Sequence, residues 1–449
     1  MFKGIKRRVK SLLGRPEDLE ARLELHARER LPFAVEEEEL YLQLEPLTAA
    51  LEEARSAARS NRLHEASEHL LEHFHDRIRP LFFIHHSECD MLRPGLLERP
   101  EECNRVLAEA ERAQRHAFSP LGVEEYTFPS AIDWFSDFRG SSWMYGPVED
   151  LKLQLERQEP SSLPEGPLEA TWEFNRHSHF VDMGRAYWLT GQERFASEFI
   201  VQMVDWSERN PALFGVNWLD PETVAHRTLN WLLATHLFLK SAQMTSDVLS
   251  RLLRTLLAHG LVLSRMLNSQ SRLGVASSLH VLAASLPEVA LARQWLRQSA
   301  PTLAQQALRE LGSEGFHAGG SLGCHRQACE WLLLPLALHR LNQSHPPEGL
   351  AGCAEEAVDA LCQVRPPNAL VPEFGRPPGG GLLSHGTGPS EHTLRLLGLA
   401  ALTLGNGGLA RLAGEMPPEL LWWFGPSAQA RYDGLPHTGM PPPGGVFPR

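Results

Sequence analysis

A chain of 449 residues has room for two or three domains, and 43% hydrophobic against 22% charged residues excludes a disordered or collagen-like chain. Its 43 basic and 55 acidic residues leave a net charge of −12, with no long basic run, so a nucleic-acid-binding surface is not expected. No apolar run approaches the roughly 20 residues needed to span a bilayer.

The first segment, Met1 to Gly14, is basic but lacks the apolar stretch of a signal peptide, and reads as a solvated helical end. A short amphipathic segment of this kind can also touch an anionic membrane. Nothing in it requires export, so the cytoplasm is the default expectation. Residues 1 to about 115 form a polar, helix-rich lead-in, with Glu36 to Glu39 on a solvated helix face. Six cysteines (Cys89, Cys103, Cys324, Cys329, Cys353, Cys362) show no CxxC spacing and are expected to be free thiols in a reducing compartment.

From 116 to 430 nearly every segment reads as helix. Phe180, Val181, Gly184, Tyr187 and Trp188 recur at three and four, and Gly191 follows as a stop. The next helix carries Phe195 to Trp206 and ends at Asn210-Pro211, which makes an αα-hairpin with the one before. Asp220 caps a third, with Pro221 at its first position and Glu222 in its first turn. Further helices are expected from Ser246 to Met266, Arg272 to Leu286, Pro287 through Gln298 and Pro301 to Leu311. Three more follow: Gln327 to Asn342, Leu350 to Cys362 and Glu391 to Leu404. Arg365 to Gly388 is Gly/Pro-rich and interrupts them, as a surface excursion or a loop over a cleft. Residues 431–449 form a Gly/Pro-rich tail. Successive hairpins with almost no period-two pattern predict an all-α fold, a toroid or solenoid of paired helices.

Histidine reaches 21 and tryptophan 11. Trp134, Trp143, Trp172, Trp188, Trp206, Trp218 and Trp231 crowd one stretch. Tryptophan builds sugar-binding platforms, but more often it packs helices, and core is the expectation here.

Several ordered blocks carry a resemblance. They are Ile132-Asp-Trp-Phe, Thr171-Trp-Glu-Phe-Asn-Arg-His-Ser-His, Arg185-Ala-Tyr-Trp-Leu-Thr-Gly and Trp206-Ser-Glu-Arg-Asn-Pro, followed by Gly215-Val-Asn-Trp-Leu-Asp-Pro-Glu-Thr-Val-Ala-His-Arg-Thr-Leu-Asn-Trp. Together they resemble the heparinase II/III family of polysaccharide lyases over about residues 126 to 430. The resemblance implies an incomplete (α/α) toroid followed by a β-sandwich domain. After Leu421-Trp-Trp-Phe-Gly-Pro-Ser-Ala-Gln-Ala-Arg-Tyr the sequence stops at Arg449, where the first sandwich strand would begin. The sandwich is therefore expected to be missing, through truncation or because the sequence is a fragment, and a separate chain is one possible source of it.

The resemblance implies cleavage of an acidic, uronic-acid polysaccharide such as heparan sulfate or alginate by β-elimination. That reaction needs a group to neutralise the carboxylate, a base for the C5 proton and an acid for the leaving oxygen. The family's Asn-His pair falls at about Gln270 and Ser271. Its Asp-Gly-…-Ser-x-x-Tyr-His motif is matched by Glu314-Gly-Phe-His-Ala-Gly-Gly-Ser-Leu-Gly-Cys-His, with Cys324 in the tyrosine position, and its Gly-Asp falls near Gly375-Arg376. The catalytic candidates that remain are His325, His317 and Cys324. Candidates for binding the substrate are Asn217, Trp218, Arg227, Asn175, Arg176 and His177, with Arg227 offering a guanidinium to a carboxylate. Glu173 and Arg176, three apart, equally suit an ion pair that ties helices together.

No cofactor is called for, and a metal site from His317, Cys324, His325 and Cys329 matches no common zinc spacing. Two alternatives stand beside the lyase reading. One is a non-catalytic carbohydrate-binding remnant. The other is an (α/α) glycoside hydrolase with two carboxylates from Asp133, Asp137, Glu173, Asp220 or Glu222. Family resemblance keeps the periplasm open as a location.

Overall fold

The computed structural model describes residues 33–436 except 79–81, 84, 158–163, 270–271, 313, 365–373, 376–380 and 384–387. The basic N-terminal segment, Gln270-Ser271, Arg376 and most of the Gly/Pro-rich loop and tail lie outside the described residues.

Ten helices of the toroid alternate in an inner and an outer layer. The inner layer is α8 (Ser178–Thr190), α10 (Pro221–Phe238), α12 (Leu273–Ser285), α14 (Leu322–Leu341) and α16 (Pro389–Leu404). The outer layer is α9 (Arg194–Arg209), α11 (Ser246–Ser269), α13 (Ala290–Glu310), α15 (Leu350–Gln363) and the short α17 (Gly407–Ala413). Sequence decides which layer a helix joins. In α10 every residue but Glu222 is buried, and α12 is buried on nearly all sides, with the polar side chains of both, Arg227 and Ser278 among them, bonded inside the ring. By contrast α11 buries one stripe (Leu249, Leu252, Leu253, Leu256, Leu257) and shows its polar side to water.

Each inner helix packs on the next, and the registers show that they run parallel. Trp231 Nε1 donates to His177 Nδ1 at 2.7 Å, while further along both helices Trp188 Nε1 donates to the Leu237 carbonyl at 2.6 Å. Ser278 Oγ donates to the Ala225 carbonyl at 3.1 Å and Ser277 Oγ to the Trp331 carbonyl at 2.6 Å. Between α8 and α10 the contact needs a glycine, since a Cβ on Gly184 would lie 2.7 Å from the Cβ of Leu237. The all-α toroid read from the sequence is the fold; the only strands among the described residues are Ala117–Phe118 and Tyr126–Thr127, two residues each.

The lead-in helices α1 (Glu37–Leu42), α2 (Ala49–Arg59), α3 (Leu63–Asp76), α4 (Cys89–Leu97) and α5 (Pro100–Gln114) pack on the toroid, and one hydrophobic cluster runs from Phe33 to Tyr432. Buried Glu288, in the turn after α12, takes His73 at 3.0 Å and Arg77 at 2.9 Å from the end of α3 and just beyond it. The two remaining pairs of helices are α6 (Val148–Arg157) and α7 (Leu168–Phe174) before the ring, and α18 (Leu421–Phe424) and α19 (Ala428–Asp433) after it.

The first and last inner helices are joined by buried charge. Glu419, in a 3-10 turn, accepts from Arg185 of α8 and, at 3.3 Å, from Arg395 of α16. Glu102 of α5 reaches Arg395 at 3.6 Å and Arg105 at 2.7 Å. Both arginine side chains on the ring are 3% exposed or less and Glu419 is 1% exposed, so the carboxylate's two oxygens neutralise two cations away from water.

Two helix boundaries differ from expectation. Pro287–Gln298 and Pro301–Leu311 form one helix, α13, that runs through Pro301. Pro301 and Arg297, whose carbonyl loses its partner, both face solvent, so water can replace the missing bond. The helix expected from Gln327 begins at Leu322, because the Ser321 side chain accepts from the Cys324 N–H and caps it. Cys324 and His325 thus lie in the first turn of a helix and not in a loop with His317.

Candidate functional site

Because the inner helices are parallel, their N-termini open at one end of the ring. The positive ends of the helix dipoles collect there, and so do the loops that precede each helix. The sequence-predicted residues sort into two layers beneath and at this mouth.

The lower layer is core. Asn175 Nδ2 donates to the Trp134 and Thr171 carbonyls at 2.9 and 2.8 Å, and its Oδ1 accepts from Trp206 Nε1 at 2.8 Å. Asn217 Nδ2 donates to the same Trp134 carbonyl at 3.0 Å and to Asn210 Oδ1 at 2.8 Å. Arg227 lies between the indoles of Trp206 and Trp218, 4.6 and 4.7 Å from their centroids. It donates to the Asn175 and Asn217 carbonyls at 3.2 and 3.0 Å and to His259 Nε2 at 2.9 Å. Burial brings its pKa down to about 9, which leaves it charged at pH 7. His177 caps α8 in the left-handed conformation (φ 59°) and is held neutral by burial, its pKa well below the usual range.

Asn175, His177, Asn217 and Arg227 have no exposed surface and Trp218 has 1%. The structure brings these five together, but as the knot that fastens α7, α8 and α10 to the Trp134 loop, with no face on the mouth. The tryptophan-rich stretch behaves likewise: ten of the eleven tryptophans are buried, and Trp172 is partly exposed. Arg227→Lys is expected to keep the charge but lose the fork that reaches two carbonyls, costing about 2–3 kcal/mol in urea unfolding.

The upper layer lines the mouth. Arg176, on the approach to α8, is itself buried just beneath and pairs with Glu173 at 3.3 Å. Glu222, in the first turn of α10, is partly exposed, and its Oε2 accepts from Trp331 Nε1 at 3.1 Å. Gly274 at the start of α12 lies directly against that carboxyl, since a Cβ there would sit 2.5 Å from Oε2. Burial, then the neighbouring carboxylates Asp220 and Glu310, push the Glu222 pKa up to about 7. His226 donates from Nδ1 to the Glu222 carbonyl at 2.9 Å and accepts from Gln327 Nε2 at 3.3 Å, so its neutral form is fully bonded. Trp172 Nε1, on α7, donates to the Val216 carbonyl at 2.9 Å, and with Phe135 and Tyr145 on the loops before α6 it leaves three aromatic rings partly exposed.

His317 and Cys324 are partly exposed, on the loop before α14 and in its first turn. The loop hangs on α13: the Ala318 N–H donates to the Glu310 carbonyl at 2.7 Å, and the Glu310 carboxylate accepts from the Leu273 N–H at 2.7 Å. Burial lowers the His317 pKa, and its Nδ1 accepts from the Gly319 N–H at 3.1 Å, so the neutral ring carries its proton on Nε2. His325 is wholly buried against Phe316. It donates from Nε2 to the Ala357 carbonyl at 2.9 Å and accepts the His317 N–H at Nδ1, 3.3 Å away. Burial brings its pKa to about 4. None of the six cysteines forms a disulfide, and no group of three or more His, Cys, Asp or Glu among the described residues is arranged to hold a metal ion.

The sequence reading listed Glu222 only as one of five interchangeable carboxylates. The other four are occupied: Asp133 accepts the Phe135 N–H, Asp137 the Arg139, Ser141 and Gly166 N–H groups, Asp220 caps α10, and Glu173 pairs with Arg176. A signal was available, since Glu222 is the one acidic residue between Pro221 and Phe238.

Comparison with known proteins bears on the whole ring. The family model described as Heparinase II/III N-terminus matches residues 40–377. The chain belongs to this family. A curated heparin-sulfate lyase of Bacteroides stercoris is 33% identical over 69 residues, 15% of this chain and 8% of the lyase. Among solved structures, heparan sulfate lyase HepC from Pedobacter heparinus superposes with a TM-score of 0.58 at 19% identity, covering 84% of this chain and 55% of that one. A heparinase III structure gives 0.58 at 18% identity, with the same coverage of 84% and 55%. This heparinase II/III family chain therefore shares its fold with those lyases and spans about half their length. The family match runs from the lead-in helices through the first four inner helices. No helix among the described residues is long and apolar enough to cross a membrane.

Proposed function

We propose that this chain binds a uronic-acid polysaccharide across the mouth and acts on it as a lyase of the β-elimination class. The observation that carries the proposal is the mouth itself. Parallel inner helices turn their positive ends towards it, the exposed Arg272 stands at its rim with Arg176 buried beneath, and Trp172, Phe135 and Tyr145 offer ring faces for sugars. Helix ends and arginines suit a polyanion, in spite of the chain's net negative charge.

In the elimination, a base removes the C5 proton, the C4–O bond breaks as the C4–C5 double bond forms, and the leaving oxygen takes up a proton. His317 and Cys324 are the side chains placed to meet the reacting sugar, with His325 beneath as a positioning residue. Asn175, Arg176, His177, Asn217, Trp218 and Arg227, all buried, serve binding by holding the rim's loops in place.

A second reading, binding without cleavage, is favoured by one observation. The lone pairs of both histidines are occupied, His325 by the His317 N–H and His317 by the Gly319 N–H, so neither is ready to accept a proton. The experiment is to follow the ultraviolet absorbance of the unsaturated uronate product on heparan sulfate, hyaluronan and alginate. The expected result is a rise that His317→Ala reduces at least tenfold. Retained binding with no rise on any of the three would establish the second reading, and no binding at all would end both.

A further inference from the structure

Glu222 is the carboxyl in the mouth that the fold leaves half-used. Its Oε2 is fixed by Trp331 Nε1, and its other oxygen has no hydrogen-bond partner among the described residues. The side chain is wedged between α10, the start of α12 at Gly274, and Trp331 of α14, so the unbonded oxygen is held in place and not free to swing. Charged groups face it from several elements: Asp220 on its own cap, Glu310 from the end of α13, Arg176 from the approach to α8 and Arg272 from the cap of α12. His226, one turn along its helix, and Gln327 are bonded to each other and neutral.

The two anions outweigh the two cations around this carboxyl, and Arg176 is also paired with Glu173. An ionised Glu222 would repel a polyanion from the centre of the mouth, and a neutral one would not. Resting on the uronic-acid reading above, we infer that Glu222 is the group that recognises the sugar carboxylate: in its protonated form the unbonded oxygen donates a hydrogen bond to the carboxylate of one uronic-acid unit, and Arg176 and Arg272 supply the flanking charge. A carboxyl-to-carboxylate bond of this kind is short and charge-assisted, and it exists only while the proton is there. No covalent step is involved. Binding takes up a proton from solvent whenever Glu222 starts ionised. The shift of this group to about 7 places the change in the neutral range.

The test is calorimetric titration of the whole chain with defined heparan sulfate and hyaluronan oligosaccharides at pH 6, 7 and 8, repeated in buffers of different ionisation enthalpy. Affinity depends on the protonated fraction, so the wild type is expected to bind about tenfold more weakly at pH 8 than at pH 6. It should take up most of one proton per site at pH 8. Glu222→Gln keeps a donor in place and should bind with a flat profile and no proton uptake. Carboxyl-reduced oligosaccharides should lose the pH dependence with the wild type. If Glu222→Gln retains the wild-type slope, or if the wild type takes up no proton, the assignment to Glu222 is overturned while the polysaccharide reading stands. Proton uptake is read on the wild type and so decides the matter even if the variant does not fold. Failure of every uronate oligosaccharide to bind at any pH would overturn both.

Discussion

Glu419→Ala is expected to be among the most destabilising single substitutions in this chain, lowering the free energy of unfolding by about 3–5 kcal/mol. The carboxylate neutralises Arg185 and Arg395 where all three are almost wholly buried, and burial alone would raise its pKa. The arginines win, and the pKa of Glu419 is held below the ordinary value. Removing the anion leaves two buried cations facing each other across the closure of the ring. Glu391 at 2.7 Å and Glu102 at 3.6 Å remain beside Arg395, and neither is paired with Arg185. Urea unfolding followed by circular dichroism measures the effect. The conservative Glu419→Gln keeps the shape and loses the charge, and should account for most of the loss. A change under about 1 kcal/mol for both would show that the closure does not depend on this pairing.

The second large effect is acid unfolding. Seven histidines are buried and neutral: burial takes His280 to about 3, His86 and His325 to about 4, and His177, His226, His236 and His259 well below the ordinary 6.5. In each the folded state binds its proton less readily than the unfolded chain. Their contribution is complete above pH 6.5 and is lost as pH falls from there towards the folded values. Each group costs about 1.4 kcal/mol per pH unit in that window, so together they reach roughly 10 kcal/mol per unit, the size of a protein's whole stability.

Glu222 has the opposite sign. Its folded pKa of about 7 lies above its ordinary 4.5, so its contribution is full below 4.5 and fades as pH rises through 7. One group does not offset seven. Unfolding is therefore expected between about pH 6 and pH 5, before the carboxylates of Glu288 and Glu419 titrate. A native far-ultraviolet spectrum and a cooperative thermal transition at pH 4 would contradict this.

The ring was legible because its signals are local and repeated. Caps such as Asp220-Pro221 and stops such as Gly191 mark helix ends, and apolar residues recurring at three and four mark the helices between them. The site was harder to read. Arg227 has the residue type and position of a substrate clamp, and nothing in the sequence says that Trp206 and Trp218 close over it. The same chemistry, a guanidinium on carbonyl oxygens and aromatic faces, serves a core knot as well as a ligand. His325 shows the converse difficulty. A histidine retained in a motif reads as a base, but its bond to the Ala357 carbonyl comes from a helix more than 30 residues away and is invisible to spacing. Glu222 was passed over because its character depends on three-dimensional crowding by Gly274, Trp331, Asp220 and Glu310. Ser321 was missed as a cap because two glycines before it suggest continued loop.

The parallel run of the inner helices has a consequence for how such a chain changes over time. The closing ion cluster, the tryptophan knot and the lead-in contacts all lie below or behind the rim, whereas the loops that enter each inner helix meet at its top. A substitution in an entry loop alters what the rim presents while leaving the closure of the ring untouched. Specificity can therefore drift, or be redesigned, one loop at a time, with Asp220, Ser321 and the other helix starts acting as fixed anchors for exchangeable segments.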